Sequence, residues 1–299
     1  MTRMGKNNLP LVSVIIPTAY REPSIILRAI YSVLEQTYSS IEVILVDDNK
    51  DIDISCKIKN TVKNIPQVRY IKNFGPHGAC VARNIGASLA NGELIAFLDD
   101  DDEWLPQKIE AQINVLTKDV VLVYCNGWRI DNRCTPPHIT PYRAKEKFVS
   151  SASFELLLQK NHIGTTSQLL VRKSAFEQIG GFDTRFPARQ DYDLCLQLTK
   201  VGQAVGVNDF LFKHFIHNGD QITKSSKASL IGYMLILEKY KKNLKNDPFA
   251  LTSLFFRIAR MHRLQHHLFK AIYYYSRGVF INPIRWKEGL AELQSKKTV

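Results

Sequence analysis

The sequence predicts an α/β fold with a mostly parallel sheet flanked by helices, followed by a C-terminal helical extension. Strand and helix signals alternate over the first hundred residues, an order typical of parallel sheets. Beyond residue 224, helical segments follow one another without a strand between them. The 299 residues are 45% hydrophobic and 10% aromatic, which is enough apolar material for a folded core and excludes a disordered chain.

Short apolar runs mark the strands of the first half. Residues 11–16 (LVSVII) stop at Pro17 and are typical of a strand buried on both faces. Residues 41–46 (IEVILV) predict the next strand, which runs into two aspartates. Between them, apolar side chains at helical spacing predict a helix over 26–37. The remaining elements of this half are a weaker strand at 68–71, a helix at 79–90 and a strand at 93–98.

The second half changes from mixed to helical character. The predicted elements are strands at 119–125 and 168–171 and helices at 190–201, 230–240, 251–265 and 268–279. We therefore predict two domains, 1–222 and 223–299, of which the second is a basic helical extension.

Polar side chains follow three of the predicted strands at the point where each strand ends. Thr18 follows the first strand, Asp47 and Asp48 follow the second, and the run 99–102, four aspartates, follows the strand at 93–98. Ligands of open α/β sheets bind beyond the carboxyl ends of the strands. We therefore expect these residues to form one acidic, ligand-binding edge of the sheet, which we call the acidic edge.

The four aspartates predict a metal site. Clustered carboxylates repel each other, and a divalent cation offsets that cost; oxygen ligands favour Mg²⁺ or Mn²⁺ over zinc. Alternate residues of an extended segment share a side, so Asp99 and Asp101 can face one ligand. The alternative is a solvated acidic turn, or the N-cap of a helix starting near Pro106.

The net charge of +12 is unevenly distributed. Residues 221–299 hold 15 Lys and Arg against 4 Asp and Glu, a net +11, whereas residues 1–220 are nearly neutral. We expect no nucleic-acid partner for the protein. For the basic extension three interpretations stay open: a solvated face, a nucleic-acid patch, or a surface that contacts anionic membrane lipid. The sequence shows neither a long apolar run nor a signal peptide, so we expect a cytoplasmic protein.

Several ordered motifs carry a resemblance to a known family. They are VSVIIPT (12–18), AIYSVLEQTY (29–38), VDDN (46–49), ARNIG (82–86), GELIAFLDDDDEW (92–104), GGFD (180–183) and QDYDL (190–194). Together they resemble the family 2 glycosyltransferases, which are inverting enzymes of the GT-A fold that use nucleotide-diphosphate sugars. The resemblance covers about residues 10–222 and is strongest to bacterial enzymes of surface-polysaccharide synthesis.

The resemblance implies a role for each matching residue. The donor-binding residues that it implies are Pro17, Thr18, Tyr20, Asp48, Arg83, Asp99, Asp100 and His217. It implies Asp99 and Asp101 as ligands of Mn²⁺ or Mg²⁺, and Asp191 as the general base. The chain departs from the family pattern at Ala19-Tyr20, where the family has Tyr-Asn, and at Gln190, where it often has Glu.

The implied function is transfer of a sugar from a nucleotide-diphosphate donor, UDP-linked, to a glycan or lipid-linked glycan. The products would belong to lipopolysaccharide, O-antigen, capsule or exopolysaccharide, and the enzyme would work in the cytoplasm, at the inner face of the membrane if the acceptor is lipid-linked. Two other classes stay open: an inactive nucleotide-sugar- or carbohydrate-binding relative, and a metal-dependent phosphoryl or nucleotidyl transferase. An aspartate at the position of Asp191 is also common as a helix cap.

Overall fold

The structure is a computed structural model that describes residues 9–142, 147–216 and 225–295. The chain forms two units that are interleaved in sequence. Unit 1 comprises Met1–Ala152, His162–Phe182 and Gln197–Asn218, and unit 2 comprises Ser153–Asn161, Asp183–Leu196 and Gly219–Val299. The boundary predicted between residues 222 and 223 lies outside the described residues.

Unit 1 is built on a mixed sheet. In chain order its described strands are β1 (Val12–Thr18), β2 (Ile41–Asp47), β3 (Val68–Lys72), β4 (Leu94–Phe97), β5 (Glu103–Trp104), β6 (Val120–Asp131), β7 (His138–Pro141), β8 (Ser151–Ala152), β9 (Leu170–Arg172) and β10 (Gln203–Ile216). The central order is β3-β2-β1-β4-β9-β6-β10-β5. Strands β1 to β4 run parallel, as the alternating sequence predicts, and β9 continues the sheet in the antiparallel direction.

The described helices, in chain order, are α1 (Pro23–Leu34), α2 (Ile52–Val62), α3 (Ala79–Ser88), α4 (Lys108–Asn114), α5 (Phe154–Gln159), α6 (Lys173–Gln178), α7 (Gln190–Leu198), α8 (Ser226–Lys239), α9 (Lys241–Asn246), α10 (Pro248–Leu264), α11 (Leu268–Ile281) and α12 (Trp286–Gln294). A short 3-10 turn, Pro283–Arg285, joins the last two. Mixed sheet, flanking helices and C-terminal helices confirm the predicted fold class.

Among the elements that the sequence analysis missed, helix α2 and strand β10 have a clear physical reason. Helix α2 is largely polar, with only three buried residues, so its apolar spacing is weak; Asp51 caps it by accepting from two backbone amides. Strand β10 is long but is interrupted by Asn208-Asp209, where its register with β6 shifts. Such irregularities hide the period of two on which strand prediction depends.

The centre of the sheet is buried on both faces. Val14, Ile15 and Ile16 of β1 are fully buried, which confirms the prediction from the run 11–16. In the parallel register Thr18 lies opposite Asp47, so β1 and β2 end at the same level. The fold thus brings the polar residues that follow these strands to one edge.

Unit 2 has a helical core centred on α10. Leu254, Phe255 and Ile258 of this helix are buried. Helix α11 lies against it through Ala271 and Gly278, and a β-carbon on Gly278 would meet the Phe256 ring at 2.5 Å. No helix among residues 9–142, 147–216 and 225–295 combines the length and apolar character needed to cross a membrane.

Lys108, in unit 1, is fully buried and gives a measurable pH dependence. Its Nζ donates to Gln112 Oε1 at 2.7 Å and lies 3.9 Å from the centre of the Trp104 ring. Burial lowers the pKa of Lys108 to about 8. Between pH 8 and the ordinary value of 10.5 the folded state therefore holds fewer protons than the unfolded state, and stability rises with pH across this window.

We compare the change in the free energy of unfolding between pH 8 and pH 10.5 for two proteins. The free energy of the wild type should rise over this range by about 3 kcal/mol more than that of the Lys108→Met variant. Urea unfolding at several pH values measures the difference. The exposed residue Lys118 supplies the control, since Lys118→Met should keep the wild-type slope. Parallel slopes in wild type and Lys108→Met would show that Lys108 titrates normally in the folded state.

Candidate active site

The ends of β1, β2 and β4 meet at the predicted acidic edge. The backbone amide of Asp48 donates to the carbonyl of Thr18 at 2.8 Å. The hydroxyl of Thr18, at the end of β1, donates to Asp100 Oδ2 at 2.7 Å. Because Asp100 follows β4, this hydrogen bond joins the end of β1 to the end of β4. The predicted convergence is confirmed.

The two aspartates after β2 differ in environment. Asp47 is fully buried and accepts hydrogen bonds from Tyr70 and Asn49. Burial alone would raise the pKa of Asp47, but these hydrogen bonds outweigh it and lower the pKa below its usual value. Its surroundings are those of a structural residue.

Asp48 organises the loop before α3. Its Oδ1 accepts from Asn73 Nδ2 at 2.7 Å and lies 3.2 Å from His77 Nδ1, and its Oδ2 accepts from the backbone amide of Gly78 at 2.7 Å. Gly78 has a φ of 137°, a conformation that favours glycine and turns this amide toward the carboxylate. Asp48 therefore ties the end of β2 to the start of α3.

Asp99 faces Arg83 of α3. Arg83 Nη2 donates to its carboxylate at 2.5 Å, and Thr166 Oγ1 donates to the same oxygen at 2.9 Å. Burial alone would raise the pKa of Asp99, but Arg83 and Thr166 hold it below its usual value. The Arg83 Nε and Nη1 atoms are buried and have no hydrogen-bond partner among the described residues. Buried donors of this kind are costly unless a ligand satisfies them.

Arg21 connects Asp100 and Asp101. Its Nε donates to Asp100 Oδ1 at 3.0 Å and its Nη2 donates to Asp101 Oδ2 at 2.9 Å. Burial raises the pKa of Asp100 to about 7, against the opposing effect of Arg21. The Asp101 backbone carbonyl accepts from Arg28 at 2.6 Å. Two arginines from the segment after β1 therefore hold the middle of the aspartate run.

Asp102 is fully buried between Ser167 and His214. Ser167 Oγ donates to Asp102 Oδ2 at 2.6 Å, and His214 Nδ1 of β10 lies 2.9 Å from Oδ1. Burial alone would lower the pKa of His214, but the Asp102 carboxylate raises it to about 9. This ion pair anchors the aspartate run to β10.

The carboxylates suit a cation that is shared with a ligand. In the part of the chain that the structure describes, no three His, Cys, Asp or Glu side chains are placed to hold a metal ion on their own. Mg²⁺, however, is typically held by one or two carboxylates, with substrate phosphates and water completing its shell. Asp99 and Asp101, whose side chains are 26% and 14% exposed, supply such oxygen ligands. The donor set therefore fits a cation bound together with a diphosphate.

Three other predicted donor-binding residues have different placements. Pro17 lies within β1 and is half-buried. Tyr20 has a φ of 54°; its ring is exposed, and its backbone amide donates to Asn49 Oδ1 at 2.6 Å. His217 lies outside the described residues. A role for any of these three in binding a nucleotide stays a prediction.

Asp191 belongs to unit 2, in the first turn of α7. It is half-buried, whereas its neighbours Tyr192 and Asp193 are buried. Tyr192 OH donates to the carbonyl of Leu157 at 2.7 Å. Asp193 accepts from Lys239 Nζ and from Tyr240 OH, each at 2.8 Å. The residues next to Asp191 thus fix this turn of the helix.

The sequence analysis missed the partners of the aspartates. Arg21, Ser167 and Thr166 were not singled out, and His214 was not linked to the aspartate run. Arg21 had one usable signal, because it follows the end of β1 by three residues and so lies near the acidic edge. Ser167 and Thr166 lie in a 3-10 turn before β9. The turn is closed by a capping box between Thr165 and Gln168, and the Thr-x-x-Gln spacing was the sequence signal that could have marked it.

Comparisons with known proteins identify the class. The fold is that of GT-A glycosyltransferases: S. aureus TarS (residues 1–349), solved with UDP-GlcNAc, superposes with a TM-score of 0.61 over 93% of this chain and 92% of that one, at 14% identity. Residues 13–180 match the family model described as glycosyl transferase family 2. The chain belongs to glycosyl transferase family 2, and the predicted enzyme class is confirmed.

The similar sequences include two proteins of Escherichia coli. The putative colanic acid biosynthesis glycosyl transferase WcaA of strain K12 is 32% identical over 240 residues, covering 79% of this chain and 83% of the relative. The UDP-Glc:alpha-D-GlcNAc-diphosphoundecaprenol beta-1,3-glucosyltransferase WfgD is 30% identical over 199 residues, covering 66% and 73%. Both similarities extend well beyond the aspartate run.

Proposed function

We propose that this glycosyltransferase moves a sugar from a UDP-linked donor to a hydroxyl group of a glycan, with inversion at the anomeric carbon. Its products would be bacterial surface polysaccharides such as lipopolysaccharide, O-antigen, capsule or exopolysaccharide. The observation that carries the proposal is the edge where Thr18, Asp48 and the run 99–102 come together. The names of WcaA and WfgD support the kind of product.

The donor diphosphate is proposed to lie against Arg83 and the aspartate run. Arg83 keeps two buried donor atoms without a partner among the described residues, and phosphate oxygens are strong acceptors for a guanidinium. Asp48 and Asp100 are proposed to contact the nucleoside. Since Asp48 already accepts bonds from Asn73 and Gly78, its carboxylate is held in one orientation.

Asp101 and Asp99 are proposed to hold Mn²⁺ or Mg²⁺ together with the donor. When bound, the cation would supply Lewis-acid stabilisation of the charge that develops on the departing diphosphate. The role of Arg21 is to keep Asp101 in place, since its guanidinium bridges Asp100 and Asp101.

Asp191 is proposed to be the general base. Its carboxylate would take the proton of the acceptor hydroxyl while that oxygen attacks the anomeric carbon and the bond from this carbon to the diphosphate oxygen breaks. A single displacement of this kind inverts the anomeric centre. The half-buried position of Asp191, beside buried neighbours that hold the helix, supports the assignment.

The acceptor is proposed to be a glycan carried on a lipid. The name of WfgD specifies a diphosphoundecaprenol-linked sugar, a lipid-borne acceptor. An enzyme acting on such a lipid works at a membrane surface, so we also propose a peripheral location at the inner face of the cytoplasmic membrane.

A panel of nucleotide sugars tests the donor assignment. Purified protein is incubated with UDP-, GDP- and dTDP-linked sugars, with and without Mn²⁺, and both nucleotide release and thermal stabilisation are measured. We expect UDP-sugars to stabilise the protein and to release UDP only when the cation is present. Turnover of GDP- or dTDP-sugars alone would contradict the donor class, and thermal stabilisation without release would favour a binding protein.

A further inference from the structure

Helix α11 exposes large apolar side chains on the face opposite its packed side. Among the described residues of unit 2, Phe269 is 91% exposed and Phe280 is 88% exposed, and Ile272 and Tyr273 are also exposed. At 100° per residue these four side chains project from one side of the helix, which we call the outer face of α11. Ile284, in the 3-10 turn that follows α11, is also 91% exposed.

The opposite side of α11 is fully used in packing. Ala271 and Gly278 are buried, and the rings of Tyr274 and Tyr275 lie 5.8 and 5.7 Å from those of Phe255 and Phe256. A helix with apolar residues on all sides normally lies inside a larger apolar environment. The fold of unit 2 supplies that environment on one side of α11 only.

The charge of the surrounding sequence favours an anionic partner. Residues 248–287 contain seven Lys and Arg and no Asp or Glu. Two of the seven, Arg260 and Arg285, pair with Glu292 and Glu288 of α12, so the region keeps a smaller net positive charge. Lys270 and Arg277 are exposed along one edge of the outer face, and Lys287 is exposed in α12. A second copy of this chain would bring the same positive charge against it and would be repelled, whereas anionic lipid would be attracted.

We propose that the outer face of α11 is a membrane-docking surface that inserts its aromatic side chains between anionic lipid headgroups. Aromatic residues on one face with lysine and arginine beside them are typical of helices that lie in the plane of a membrane interface. This inference rests on the proposed function in one respect: the lipid-linked acceptor explains why the enzyme would dock at a membrane. Its test uses neither donor nor acceptor, so its failure is distinct from failure of the proposed reaction.

Vesicle sedimentation tests the surface with the full chain. We expect binding to vesicles of equal parts phosphatidylglycerol and phosphatidylcholine, and little binding to phosphatidylcholine alone or at high salt. Phe269→Ser with Phe280→Ser should lower the partition coefficient at least about tenfold, because two large side chains leave the interface. Lys270→Glu with Lys287→Glu should lower it by about tenfold as well.

The matched control is Phe74→Ser, which removes a phenylalanine that is 82% exposed in unit 1. This variant should bind vesicles like the wild type. Circular dichroism checks that all variants are folded, and size-exclusion chromatography measures their oligomeric state. The proposal is overturned if the double phenylalanine variant still binds, or if the wild type ignores vesicles and forms a dimer that this variant abolishes.

Discussion

Asp101→Asn is expected to lose metal-dependent sugar transfer, with kcat falling by about 10³-fold. A divalent cation would stabilise the charge that develops on the diphosphate by several kcal/mol. Removing one of the two carboxylates that would hold the cation should remove most of this stabilisation. Arg21 keeps its bond to Asp100 in the variant, so the loop should stay in place. Initial rates across a Mn²⁺ titration, for variant and wild type, measure the loss.

Asp131→Asn is the matched control, because Asp131 also pairs with an arginine, Arg133, but lies at the end of β6. It should keep its Mn²⁺ response and nearly all of its activity. If Asp101→Asn were stimulated by Mn²⁺ like the wild type, the cation would have to be held elsewhere and the ligand assignment would be wrong.

Asp191→Asn is expected to stop transfer while donor binding remains. The amide cannot accept the proton of the acceptor hydroxyl, and loss of a general base typically costs 10²- to 10⁴-fold in rate, so we expect about 10³-fold. Donor affinity is measured by calorimetry and transfer by product formation. Because asparagine matches aspartate in size and shape and Asp191 is only half-buried, the replacement should lower the melting temperature by no more than a few degrees.

Asp193→Asn, two residues later on the same helix, provides the contrast. Asp193 is buried and bonded to Lys239 and Tyr240, and Lys239 keeps its pair with Asp183 in the variant. This variant should therefore lose about 2 kcal/mol of stability yet keep its transfer activity below the new melting temperature. A normal transfer rate in Asp191→Asn would require another base, and a large drop in its melting temperature would indicate a capping role instead.

The predictable part of the fold is the part with local signals. Residues 11–16 and 41–46 are short runs that are apolar except at Ser13 and Glu42, and both form buried parallel strands. Helix α2 and strand β10 were missed because a polar helix and a bulged strand lack a clear period. The acidic edge was predictable because strand ends coincide in a parallel sheet, whichever side chains occupy them.

By itself the sequence determined the α/β class, the family and the position of the aspartate run, since each depends on short motifs and their order. Only the tertiary structure decided which partner each aspartate has: Arg83, Arg21 and His214 lie 16, 79 and 112 residues from the carboxylates that they contact. It also decided that Lys108 is buried while Phe269 is exposed, against the usual preference of both residue types. The physical reason is that burial and ion pairing depend on which distant segments pack together, and no local pattern contains that information.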